Sequence, residues 1–192
     1  MRKVLFDTIF LSMLLHQKDR FPRDPTTDAP VANPKERIEY LIEILDEDDA
    51  KILIPTQAIA ELLAAAGASG PLYLTELHGN SVFEIVPFDE RAAIENGALE
   101  ASGARRVGDA PRQKIKVDRQ IVAIARTHGV EAIYSDDGDI KALGLDLGLR
   151  VISVSELSLR PAEPVPPLIA ISEVEPTEPH RRAIKLDEDD DT

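Results

Sequence analysis

Two rhythms of apolar residues run along the first 158 positions. Short apolar runs of strand length occur at Lys3-Val4-Leu5-Phe6, Lys51-Ile52-Leu53-Ile54, Ser81 to Val86, Glu131-Ala132-Ile133-Tyr134 and Arg150-Val151-Ile152. Between them lie stretches with helical character. Ile38, Leu41, Ile42 and Leu45 repeat at intervals of three and four, which places them on one face of a helix over 35–45. Gln57 to Ala66 is rich in Ala and Leu, both strong helix formers, and Gly67, Gly70 and Pro71 end it. A short helix is predicted over 72–77, another from the capping residue Asp89 to about Ala101, and a third over 117–128 that Gly129 stops. Ile140 to Leu147 completes the helical set, with Gly148 as its cap.

Strand and helix alternate throughout, and that order implies βαβ crossovers around a mostly parallel sheet covered on both faces. Residues 19–34 break the pattern: Pro22, Pro25, Pro30 and Pro34 forbid a helix there and predict an exposed loop. A second loop is predicted around Gly103, Gly108 and Pro111. The composition changes near residue 159. Six prolines between Pro161 and Pro179, followed by the acidic run Asp187 to Asp191, describe an extended or disordered tail over 159–192, with Leu168-Ile169-Ala170-Ile171 as its apolar piece. The expected organisation is one domain over 1–158 and that tail.

The chain has 192 residues, net charge −13 and no cysteine. Disulfides and thiolate chemistry are thereby excluded, and any metal must take oxygen or imidazole ligands. The four histidines, His16, His78, His128 and His180, share no ligand spacing, which leaves oxygen. Asp7 interrupts the apolar stretch that might imitate a secretory signal, and no uninterrupted apolar run approaches the ~20 residues of a membrane span. The chain is read as cytoplasmic, with no membrane partner. Its charge is hostile to nucleic acid except in one place. Between Ser102 and Arg119, six basic residues face two acidic ones, and a phosphate backbone would be welcome there. Arg112, Lys114, Lys116 and Arg119 are the candidate contacts.

Four acids stand out by position. Asp7 ends the first strand and is followed by the hydroxyl of Thr8. Glu61 and Asp118 lie early in helices, and Asp137 follows the fourth strand. In a parallel α/β sheet, ligands sit where strands end and helices begin. The bland alternative for Asp7 is that it caps the following helix. Converging carboxylates repel unless a cation sits between them, and hard oxygen ligands suit Mg²⁺ or Mn²⁺. Such an ion activates water and offsets phosphodiester charge, so the chemistry implied is metal-dependent phosphodiester hydrolysis.

The succession Val4-Leu5-Phe6-Asp7-Thr8, Pro55-Thr56 with Glu61-Leu62, Asp118 with Ile121 to Ala125, and Ile133-Tyr134-Ser135-Asp136-Asp137 resembles the PIN-domain nucleases over about residues 1–155. Among bacterial members it is most similar to the VapC-type toxin ribonucleases. The resemblance implies a three-layer α/β/α sandwich with four to five strands, a Mg²⁺ or Mn²⁺ site, cleavage of single-stranded RNA, a homodimer and a small protein antitoxin as partner. It also implies that Asp7, Glu61, Asp118 and Asp137 are the acids of the metal site and that Ser135 orients carboxylates, with Thr8 in support. Asp136 and Asp139 compete with Asp137, because the turn offers three acids within four residues. Motif register favours Asp137 and keeps Asp139 as an accessory ligand.

One departure is plain: many members carry Asn or Ser two residues after the first Asp, where this chain has Ile9. The alternative reading is therefore a catalytically weakened PIN-like interaction scaffold. A haloacid-dehalogenase-type phosphatase would need a second Asp at that same place and is set aside.

Overall fold

The computed structural model describes residues 1–15, 22–24, 26–102 and 112–161, with the side chains of 112–115 left aside. The predicted loop 103–111, part of the loop 19–34 and the tail from residue 162 lie outside the described residues. Met1 to Arg160 form one compact unit.

Five strands make a single parallel sheet: β1 (Lys3–Phe6), β2 (Lys51–Pro55), β3 (Phe83–Val86), β4 (Ala132–Tyr134) and β5 (Arg150–Ile152), in the order β3-β2-β1-β4-β5. β1 lies at the centre, where Val4 pairs with Ile52 on one side and Ala132 on the other. The pleat sends alternate residues of β1 to opposite faces. Val4 and Phe6 enter a core with α1 (Thr8–Leu15), α2 (Pro34–Glu47), α3 (Thr56–Ala66) and α4 (Gly70–Gly79). Leu5 enters a second core with α5 (Glu90–Ala101), α6 (Arg112–His128) and α7 (Gly138–Asp146). The result is the three-layer α/β/α sandwich, with all five strands parallel.

Several boundaries differ from the sequence reading, each for a local reason. β1 stops at Phe6, one residue before the predicted end at Asp7, because the Asp7 carboxylate accepts the Phe10 N–H at 2.9 Å and starts α1. α6 begins five residues earlier than predicted. Gly108 and Pro111 punctuate that region, but Arg112 to Lys116 lose little by joining a helix. α7 begins at Gly138, capped by Asp137, whose carboxylate accepts the Asp139 N–H at 2.8 Å. A 3₁₀ turn, Val154–Glu156, follows β5 and has no counterpart in the reading; Glu156 reaches back to the Ser153 N–H at 2.8 Å.

Residues Thr56–Gly79 run almost without pause through α3, a 3₁₀ turn and α4, and by length and composition alone that stretch would cross a membrane. Gly67 breaks it at a φ of 55°, a left-handed value that favours glycine, and Ala58, Ile59 and Leu62 anchor it in the first core. Its geometry is that of a helix pair docked on a sheet.

Candidate metal centre

Chain order and spatial order reverse between β1 and β4. From β1 the sheet grows to β2 and β3 in one direction, and from β4 to β5 in the other. That reversal opens a crevice at the carboxyl ends of the two strands, the usual ligand position in such sheets. Asp7 follows β1 directly and Ser135 follows β4 directly, so both stand at its floor.

Asp7 is almost wholly buried, only 2% exposed. One carboxylate oxygen accepts the Phe10 N–H, and the other accepts the Ser135 hydroxyl. Burial dominates its ionisation and pushes the carboxyl up to about 7, against the lowering effect of those two hydrogen bonds and with the added repulsion of Asp137 and Asp136. Ser135 also accepts the Asp137 N–H at 3.0 Å, so one hydroxyl fixes Asp7 and the start of the following turn together.

The structure also gathers Asp118 from α6 and Asp137 and Asp139 from the start of α7; Asp7 is not in that group, though Asp137 is near enough to raise its carboxyl. One carboxylate oxygen of each of the three lies within 4.8 Å of the other two. Asp118 is buried, and the other two are half-buried. An ion with bonds of ~2.1 Å spans at most roughly 4.2 Å between opposite ligand oxygens. The observed separation therefore needs only a small side-chain adjustment or an intervening water, and the donor set, all carboxylate oxygen, fits Mg²⁺ or Mn²⁺. The N-terminus of α7 adds a favourable partial positive charge beside the acids.

The remaining candidates sort differently. Glu61 is exposed on α3, and its carboxylate accepts the Thr8 hydroxyl at 2.5 Å, which ties α3 to the start of α1 one residue beyond Asp7. It is not among the three acids that converge. Asp136 is not in that group either: its Oδ1 accepts the Val154 N–H at 3.0 Å, and burial pushes its carboxyl above the usual range. Arg119, read as an RNA contact, instead pairs with Glu100 of α5 at 3.4 Å, its side chain only 12% exposed. Lys116 is exposed, and the side chains of Arg112 and Lys114 lie outside the described residues.

The sequence reading ranked Asp139 as an accessory, whereas its carboxylate converges with Asp118 and Asp137 on equal terms. The signal available was its position in the first turn of α7. The reading also missed a polar contact between the two flanking helices, where the Gln57 amide of α3 donates to Gln120 of α6 at 3.4 Å.

A family model described as the PIN domain matches residues 30–145, more than half of the chain. The chain belongs to the PIN-domain family. The match begins beyond Asp7, so membership rests on the later elements, including those that carry Asp118, Asp137 and Asp139. Compared sequence by sequence with curated proteins, this PIN-domain chain finds no match. Solved structures share its architecture. The DNA-bound VapBC from Salmonella typhimurium is 19% identical with a TM-score of 0.53, the match covering 80% of this chain and 99% of that one. VapBC2 from Rickettsia felis, bound to a DNA fragment from their promoter, is 13% identical at a TM-score of 0.53, with 79% and 98% covered. Mycobacterium tuberculosis VapC20, a sarcin-ricin loop cleaving toxin, is 14% identical at a TM-score of 0.50, with 73% and 95% covered. At such identities the likeness establishes the PIN fold.

Proposed function

We propose that this PIN domain is a metal-dependent endoribonuclease, acting in the cytoplasm on single-stranded RNA and serving as the toxin of a toxin-antitoxin pair. The observation that carries the reading is the convergence of the Asp118, Asp137 and Asp139 carboxylates within 4.8 Å, with the buried Asp7 near enough for Asp137 to raise its carboxyl. A bound Mg²⁺ or Mn²⁺ would lower the pKa of a coordinated water and offset negative charge on the phosphodiester.

The chain's own residues have distinct parts in this. Asp118, Asp137 and Asp139 would hold the ion. Asp7, fixed by Ser135 and Phe10, supplies a further carboxylate whose high pKa falls when a cation arrives. Glu61 and Thr8 close the side of the crevice facing α3. Lys116, together with Arg112 and Lys114 one turn or less before it in sequence, holds the flanking RNA backbone. A homodimer and a small protein antitoxin fit the resemblance to VapC-type toxins, and two of the structural neighbours were solved as VapBC assemblies on DNA. The nuclease unit on this reading occupies 1–158, with 159–192 as an appended tail.

The test is cleavage of a single-stranded RNA by the full chain in Mn²⁺, in chelator, and by the Asp7→Asn variant. Cleavage that needs both the metal and Asp7 supports the reading. Equal cleavage by wild type and variant overturns it. A folded chain that takes up no Mn²⁺ and cuts nothing would favour the interaction scaffold that Ile9 suggests.

A further inference from the structure

The turn Ser135-Asp136-Asp137 carries one acid that is not among the converging three. Asp136 accepts the N–H of Val154 at 3.0 Å, a residue 18 positions later in the chain. Val154 opens the 3₁₀ turn after β5, and its N–H is one of the orphan donors that every helical start leaves. Asp136 therefore caps that turn from outside, while the Ser153–Glu156 contact closes it from within. Ser135, on the other side, is tied twice: its N–H to the Ile152 carbonyl at 3.0 Å and its hydroxyl to Asp7.

The cost of this arrangement is visible. Oδ2 of Asp136 is buried with no hydrogen-bond partner among the described residues. A buried carboxylate oxygen in that state destabilises a fold, so stability alone is a poor reason for an acid at this position. Its effect falls instead on its neighbours. Asp137 follows it immediately and Asp139 two residues later, and both carboxylates must reach the point where Asp118 arrives from α6. Ser135 holds the turn from the sheet and Asp137 ties it to α7; the Asp136–Val154 bond is the pin that fastens it to the segment after β5.

We propose that Asp136 is a positioning residue for this site: by capping the Val154 N–H it fixes the turn that aims Asp137 and Asp139 at Asp118. The inference rests on the metal-centre reading above and assigns Asp136 no contact with the ion. Partners that orient ligating carboxylates typically alter metal affinity by about 10- to 100-fold when removed.

The experiment is Mn²⁺ titration of the full chain by calorimetry, on wild type, Asp136→Ala, Asp136→Asn and Val154→Pro. Asn keeps an oxygen for the Val154 N–H, so D136N should bind Mn²⁺ within about threefold of wild type. D136A should bind about tenfold more weakly or worse. Val154→Pro deletes the donor from the other end of the bond, at the first position of a turn where proline's φ suits the backbone and Ser153 is already extended. It should match D136A, and the double variant should lose no more than either, because one shared bond is removed. V154P also carries the test should D136A fail to fold. Variants that lower the melting temperature but bind Mn²⁺ like wild type would show a purely structural bond and overturn the proposal. Weakened binding by D136N would overturn it too, since charge rather than the cap would then matter. A wild-type chain that takes up no Mn²⁺ removes the metal reading itself; a wild type that binds, beside variants that bind equally, removes this inference alone.

Discussion

The Ser135 hydroxyl donates to the Asp7 carboxylate across 128 residues of sequence, and the same oxygen accepts the Asp137 N–H. One small side chain thus holds the ends of β1 and β4 in register at the crevice floor. Its bond favours the charged form of Asp7, which burial disfavours. Ser135→Ala should therefore push the Asp7 carboxyl still higher and cost about 1.5–3 kcal/mol where Asp7 is ionised. Thermal unfolding in chelator checks this: the loss should be clear at pH 8 and shrink at pH 5, where Asp7 is already protonated. An equal loss at both values would mean the hydroxyl serves packing alone.

Asp7 also makes a prediction about pH. Its carboxyl stands at about 7 in the fold against 3.8 ordinarily. Between those values the folded chain keeps a proton that the unfolded chain has released, so rising pH lowers stability. Above about 7 the penalty is complete, on the order of 4 kcal/mol, and below 3.8 it vanishes. Asp7→Asn removes the ionisation. Without metal, the melting temperature of this variant relative to wild type should climb as pH rises from 5 to 8. A difference that stays flat across that window would show that Asp7 ionises freely in the fold.

Much of this architecture was readable from local signals, and the parts that were not are those set by tertiary contacts. Strand positions followed from short apolar runs between turn residues, and Arg150–Ile152 was placed to the residue. Asp7 illustrates how two readings of one residue can both hold. It caps α1 through one oxygen and meets Ser135 with the other, a division that no sequence spacing distinguishes. The choice among Asp136, Asp137 and Asp139 turns on which way each side chain points. Motif register chose Asp137, which does converge with Asp118, but ranked Asp139 as an accessory, and the partner of Asp136 lies eighteen residues on at Val154, beyond any local signal. The start of α6 was obscured because Gly108 and Pro111 signal a loop while the residues after them favour a helix. Arg119 looked like part of a basic patch because its partner Glu100 sits on another helix.

That pairing separates the basic residues by role. Arg119 is largely covered and bonded to Glu100, so Arg119→Ala should cost up to about 1 kcal/mol of stability, the partner being exposed. It should leave the salt dependence of RNA binding unchanged. Lys116 is exposed. Lys116→Ala should leave the melting temperature alone, weaken RNA binding, and reduce the slope of log affinity against log salt by about 0.7, the value for one contact to a single strand. Binding isotherms at several salt concentrations check both. If Arg119→Ala moved the slope and Lys116→Ala did not, the nucleic-acid face would have to be placed nearer α5.

Metal should change the effect of neutralising Asp139. Asp139 stands in the first turn of α7 beside two further carboxylates, so Asp139→Asn changes the stability of the metal-free chain by an amount of its own, which melting in chelator measures. With Mn²⁺ at about a hundred times its Kd, the wild type gains roughly 2.7 kcal/mol by mass action, and the variant, lacking one ligand, gains less. The gap between the two melting temperatures should therefore move in favour of the wild type when Mn²⁺ replaces chelator. Removing a surface acid such as Glu47 should leave the Mn²⁺ shift intact, which separates ligation from general charge. A variant that is less stable than wild type in both conditions by the same amount would show that Asp139 serves α7 rather than an ion.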